Sequence, residues 1–353
     1  MLSNIIKIFL PTSFAFLLGI LITPIATHFF YKYKLWKKKT KSETSKSDEF
    51  KLNNKKREEN ELSVPCVGGI IVWVSVLFSI FLFSCLAIIF SDSFFNKLNF
   101  LSRSQTFIPL AIFILGATFG LIEDGLEIMG KVHITRNAFW YTKLKICIVS
   151  LLGFIAGYWF YFKLGMTSIH IPFNGPLELG IFFILFVIII MLATFSGGVI
   201  DGFDGLSGGV LAAIFSAYSV IAFANNQIDL AAFSGVIVGG ILAFLWFNIP
   251  PARFYMGETG IMALTTTLAT MAFLTDTVLL LPIIAFPLAI TSLSTIIQML
   301  SKKFRNGKKV FLIAPIHHHF EALGWPFYKV VMRFWIISII FAIIGIIFAI
   351  ISR

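Results

Sequence analysis

Ten stretches of this chain, near 8–30, 67–90, 107–122, 146–162, 179–200, 206–224, 231–247, 260–275, 277–300 and 334–352, carry few charges and approach the length of a bilayer span. A helix rises about 1.5 Å per residue, so roughly 20 apolar residues cover about 30 Å of hydrocarbon. A soluble core does not accommodate ten such segments in 353 residues, of which 58% are apolar and 13% charged. The expected fold is therefore an all-α, polytopic integral membrane protein with about ten transmembrane helices and both termini on one side. No loop between the spans is long enough to fold alone and no internal repeat is apparent, so residues 1–353 are read as a single transmembrane domain.

Charge gives this bundle an expected orientation. With the first loop placed inside, segments 31–63, 123–145, 248–259 and 301–333 hold 11, 4, 1 and 7 of the chain's 28 Lys and Arg residues. That asymmetry follows the positive-inside pattern, so the net charge of +11 reports topology and contact with anionic membrane lipid; a basic folded domain for nucleic acid is not apparent. The first span is long, lacks a small-residue cleavage site and leads into a basic loop, the pattern of a retained anchor in the bacterial cytoplasmic (inner) membrane. That loop, about 31–63, includes the stretch Lys37–Glu61, which has almost nothing apolar to bury and reads as a solvated cytoplasmic segment. Cys66, Cys85 and Cys147 show no CxxC spacing and are read as structural.

Acidic residues are costly near membrane helices and persist where they pair, bind a cation or line water. Helix counting brings Glu123, Asp124, Asp201, Asp204 and Glu258 to the cytoplasmic face. Five acids there suit Mg²⁺, which takes one or two carboxylates together with phosphate and water. Taken singly, each acid is better explained as a solvated loop residue at a helix end. Around Asp201 and Asp204 the run Ser196-Gly197-Gly198-Val199-Ile200-Asp201-Gly202-Phe203-Asp204-Gly205 breaks the helix and lets backbone amides approach a ligand. In Trp246–Gly260, two prolines end a span and a polar, aromatic loop follows, where Tyr255 suits stacking on a base and Arg253 suits a phosphate. Interfacial aromatic belts are the commoner explanation for such rings. In Ala314–Glu321, His317, His318 and His319 are consecutive and cannot all face one point of a helix; the pattern leaves open a metal tract or hydrogen bonding to a polar ligand.

Together these segments resemble the polyprenyl-phosphate N-acetylhexosamine-1-phosphate transferase superfamily. The block APIHHHFE, then Gly324-Trp325-Pro326 and Arg333-Phe334-Trp335, is similar to its phospho-N-acetylmuramoyl-pentapeptide transferase branch. Val64-Pro65-Cys66-Val67-Gly68-Gly69 is similar to the family's TPTMGG, Gly120–Asp124 to its GLxDD, and Phe244–Gly260 to its FLWFN…MGD segment. The resemblance implies transfer of phospho-N-acetylmuramoyl-pentapeptide from its UDP carrier to undecaprenyl phosphate, with UMP released and Mg²⁺ as cofactor. It implies catalytic roles for Glu123, Asp124 and Asp201, with metal held by Glu258 and Asp201. It implies substrate binding by Lys143, Asp204, Asn248, Arg253, Tyr255, His317, His318 and His319, and a homodimer as partner state.

Four places depart from the family pattern: Glu123 and Glu258 stand where Asp is expected, Glu127 where Lys is expected, and Phe195–Val199 where the family has NAVNL. Two other readings follow from these departures. One is transfer of a plain N-acetylhexosamine phosphate for another surface polymer, against which the His triplet speaks. The other is a non-catalytic relative that binds lipid carrier or nucleotide sugar. A transporter ranks last, because no pair of broken helices meets at mid-membrane in the pattern.

Overall fold

The computed structural model describes residues 2–36, 63–90, 93–130 and 138–352, so most of the charged loop expected at 31–63 lies outside the described residues. In chain order the helices are α1 (Leu2–Lys32), α2 (Gly69–Ile89), α3 (Ser93–Leu98), α4 (Phe107–Ile128) and α5 (Ala138–Leu164). A small antiparallel hairpin follows, β1 (Ser168–Ile171) and β2 (Gly175–Glu178), with Ser168 opposite Glu178 and Ile171 opposite Gly175. Then come α6 (Phe182–Ser196), a 3-10 turn over Gly197–Ile200, α7 (Leu206–Ala224), α8 (Ile228–Asn248) and α9 (Gly257–Leu274). The chain closes with α10 (Leu281–Ile284), α11 (Phe286–Phe304), α12 (Ile316–Ala322) and α13 (Phe327–Ile351).

Among the described residues, eight helices are long and apolar enough to cross a membrane, and a pair bent by 86°, Val278–Ile284 with Phe286–Phe304, makes nine when counted as one span. The chain is thus an all-α, multi-pass membrane protein. The segment expected near 260–275 is α9, a helix that is not in that set. Its residues from Thr259 to Leu274 are all buried, so protein and not lipid surrounds it, and its composition follows that neighbour. The hydroxyls of Thr265, Thr266 and Thr267 each donate to the carbonyl four residues back, at 2.6–2.7 Å, which satisfies them within the helix. At the periphery the reverse holds: Ile336, Ile339, Ile340 and Ile343 of α13 are exposed, an apolar surface that suits contact with lipid.

Several helices run past the expected limits. The fourth apolar span starts at Tyr141, not 146, and α4 continues to Ile128. Both extensions place charged residues on helices: Glu123 and Asp124 in the last two turns of α4, Lys143 and Lys145 near the start of α5. Where α4 meets α9, Gly120 allows backbone contact, because a Cβ there would overlap the main chain of Glu258 and Thr259.

Candidate active site

The closest charged grouping is built by α4, α5 and α9. Lys145 Nζ lies 2.5 Å from Glu123 Oε1 and 2.7 Å from Glu258 Oε1, so one ammonium joins two carboxylates from different helices. Glu123 and Glu258 are the two positions where a shorter Asp is expected, and both longer arms end on the same lysine. Sequence reading assigned Lys143 and passed over Lys145. The structure leaves Lys143 exposed two residues earlier on α5, about 200° away around the helix.

Asp124 sits beside this grouping but faces a different task. It is fully buried, its Oδ1 accepts the Glu258 N–H at 3.0 Å and its Oδ2 accepts the Thr259 N–H at 2.9 Å. These are among the unpaired donors at the start of α9, where a carboxylate also complements the helix dipole. The fit requires glycine at 257: φ is +68°, and a Cβ would overlap the Cys66 carbonyl. Glu258 Oε2, in contrast, is buried and accepts no hydrogen bond. A buried, unsatisfied, hard oxygen donor fits a divalent cation that completes its shell with phosphate and water.

A second grouping surrounds the 201–205 turn. Asp201 Oδ1 accepts the Ser207 hydroxyl at 2.6 Å, and Asp204 Oδ2 accepts the Ala252 N–H at 3.2 Å. Asn248 is buried at the end of α8; its Oδ1 accepts the Gly205 N–H at 2.9 Å and its Nδ2 donates to the Phe254 carbonyl at 2.8 Å. Asp204 and Asn248 therefore lash the glycine-rich turn to the 248–256 loop. Arg253 is exposed on that loop, its guanidinium 5.4 Å from the Phe247 ring centre. Tyr255 is half-buried, and its main chain pairs with the Pro65 carbonyl and the Gly68 N–H, both at 2.8 Å.

The three histidines diverge around α12, as consecutive helical positions must. His317 is fully buried, its ring 5.1 Å from Phe203 and 4.5 Å from His318, with neither nitrogen hydrogen-bonded. Burial, with a smaller contribution from His318, pushes its pKa down to about 3, so it is neutral at pH 7. His318 lies 3.2 Å from Glu321 Oε2 and 4.7 Å from the Phe203 ring centre. His319 Nδ1 accepts the Leu312 N–H at 3.2 Å. Only His317 and His318 reach the 201–205 turn.

The expected acids thus occupy one end of the bundle but divide into two groups, and among the described residues no three His, Cys, Asp or Glu side chains come together as a metal cage.

Residues 106–276 match the model of glycosyl transferase family 4. A phospho-N-acetylmuramoyl-pentapeptide-transferase of Anoxybacillus flavithermus is 32% identical over 329 residues, which cover 92% of this chain and 93% of the relative. The chain belongs to the phospho-N-acetylmuramoyl-pentapeptide-transferase family. The relative of that name in Listeria innocua is 35% identical over 81% of this chain and 84% of its own length. One from Chloroflexus aurantiacus is 32% identical over 79% and 75%.

Proposed function

We propose that this protein transfers phospho-N-acetylmuramoyl-pentapeptide from its UDP carrier to undecaprenyl phosphate, releasing UMP and forming the first lipid-linked peptidoglycan precursor. The observation that carries this reading is similarity along 92% of the chain to a relative named for that transferase. The bundle serves as a single domain in the bacterial inner membrane, with its acidic end facing the cytoplasm and a homodimer as its assembled form.

In the reaction an oxygen of the lipid phosphate forms a bond to the sugar-bearing phosphorus. The bond from that phosphorus to the oxygen shared with the uridine phosphate breaks, and its electron pair leaves with UMP. Two anionic partners must approach, so fixed positive charge is needed where they meet. Lys143 and Arg253 supply it, while Lys145 offsets the charge of Glu123 and Glu258. Asp201 and Glu123 are the carboxylates available to orient or deprotonate the acceptor phosphate. Asp204 and Asn248 hold the turn against which the nucleotide sugar lies, with Tyr255 stacking on the base and His317, His318 and His319 recognising polar groups of the nucleotide sugar. Mg²⁺, held by Glu258 and Asp201, would neutralise diphosphate charge.

UMP release by purified protein in detergent, with undecaprenyl phosphate, Mg²⁺ and either the UDP-linked pentapeptide substrate or UDP-N-acetylglucosamine, tests this reading. Release with the pentapeptide substrate alone supports it. Release only with the simple sugar selects transfer for another surface polymer, and none with either leaves a binding protein.

A further inference from the structure

The start of α13 carries two cations that have no ion-pair partner among the described residues. The Arg333 guanidinium lies 4.2 Å from the centre of the Trp325 ring and the Lys329 ammonium 5.3 Å from it. The indole is itself fixed by stacking on Phe320, with ring centres 4.9 Å apart and planes 18° from parallel. Neither cation forms an ion pair among the described residues, although His318 and Glu321 pair on the neighbouring α12. Two like charges held over one ring repel each other, and an anion between them removes that penalty.

The helix face they occupy identifies the anion's carrier. Lys329, Arg333, Ile336, Ile340, Ile343 and Ile347 follow each other at intervals of four and three residues, which is one side of a helix, and all six are exposed. The side is apolar for about three turns, from Ile336 to Ile347, and ends in the two cations. A molecule complementary to it has hydrocarbon at one end and a phosphate at the other.

We propose that Trp325, Lys329 and Arg333 form a binding site for the phosphate headgroup of a membrane lipid, whose chains lie along the exposed isoleucines of α13. Arg333 supplies planar donors to phosphate oxygens, Lys329 a point charge, and Trp325 the interfacial ring that holds the guanidinium in place. The proposal depends only on the chain's residence in a membrane. Its ligand is either an anionic phospholipid of the leaflet or a polyprenyl phosphate, which share this chemistry.

Native mass spectrometry of the full chain in detergent, titrated with phosphatidylglycerol or with phosphatidylcholine, reads the site directly. The expected result is that Lys329→Gln/Arg333→Gln weakens one phosphatidylglycerol-binding event by tenfold or more and leaves phosphatidylcholine binding unchanged. Arg333→Lys, which keeps the charge, weakens it less. Equal phosphatidylglycerol binding in the wild type and the double variant, or equal losses for both lipids, would overturn the proposal. Added undecaprenyl phosphate separates the two sources. Displacement of phosphatidylglycerol from the wild type assigns the site to the polyprenyl carrier, and continued phosphatidylglycerol binding assigns it to leaflet lipid.

Discussion

Asp124 on α4 accepts the backbone N–H of Glu258 on α9 at 3.0 Å, so the carboxylate of one helix fixes where the next one begins. The side chain of Glu258 starts from that fixed backbone and reaches Lys145. An acid expected to act on substrate is thus engaged through both oxygens in holding the backbone of its neighbour.

Replacing Asp124 with Ala removes both acceptors and leaves two buried N–H groups without partners. Loss of a helix cap costs about 0.5–2 kcal/mol, and buried unsatisfied donors raise such figures. Thermal unfolding in detergent is expected at a lower midpoint, with UMP release reduced in parallel. Lost activity with unchanged unfolding would return Asp124 to a direct part in the chemistry.

Lys145 occupies the space between Glu123 and Glu258, so it competes with any cation that binds there. Lys145→Gln should lower the Mg²⁺ concentration for half-maximal UMP release, on the order of tenfold, because opposite charges a few ångströms apart near a protein surface interact by several kcal/mol. Maximal turnover should fall at the same time. Glu258→Ala should abolish turnover while the unfolding midpoint stays close to that of the wild type. A Mg²⁺ requirement unmoved by both substitutions would place the ion elsewhere.

His317 gives the protein a stability that depends on pH. Its folded pKa, about 3, lies below the usual value near 6.5, so folding favours the neutral ring. Above pH 6.5 both states are neutral and nothing is lost. As pH falls from 6.5 towards 3 the unfolded chain takes up a proton that the folded one refuses, and stability drops by up to about 1.4 kcal/mol per pH unit. Unfolding midpoints at pH 7 and pH 5 should therefore differ, and His317→Phe, in a pocket already lined by Phe203 and Phe334, should shrink that difference.

Asn248→Ala cuts the link from the Gly205 N–H to the Phe254 carbonyl. The expected effect is a rise in KM for the nucleotide sugar larger than the fall in kcat, as the 201–205 turn loses its anchor, with about 1–3 kcal/mol of stability lost. Asn248→Asp keeps the acceptor for Gly205 but sets a carboxylate against a carbonyl, and should be no better tolerated. Steady-state kinetics with both variants check this.

Apolar runs made most of the helices legible, because a lipid-facing helix must advertise itself by composition. The same rule hid the true character of α9, whose neighbours are protein, and blurred the start of α5, where Thr142, Lys143 and Lys145 are polar yet helical. Acids were legible by their cost near a membrane, but their partners were not. Lys145 meets residues 22 and 113 positions distant, and no local pattern encodes such a meeting. The glycine density around Asp201 marked the turn correctly. What spacing could not reveal was that Asp124, Asp204 and Asn248 direct their side chains to backbone groups.

The buried position of α9 also bears on how the chain is made. A segment carrying Glu258 and a run of threonines has little tendency of its own to leave the translocation channel for lipid. Its natural surroundings are α2, α4 and α6, all synthesised before it, with Gly120 shaped to receive its first turn. Insertion of this helix is therefore a docking event onto a partly assembled bundle. Disruption of α4 would leave the later helix without the surface on which it docks.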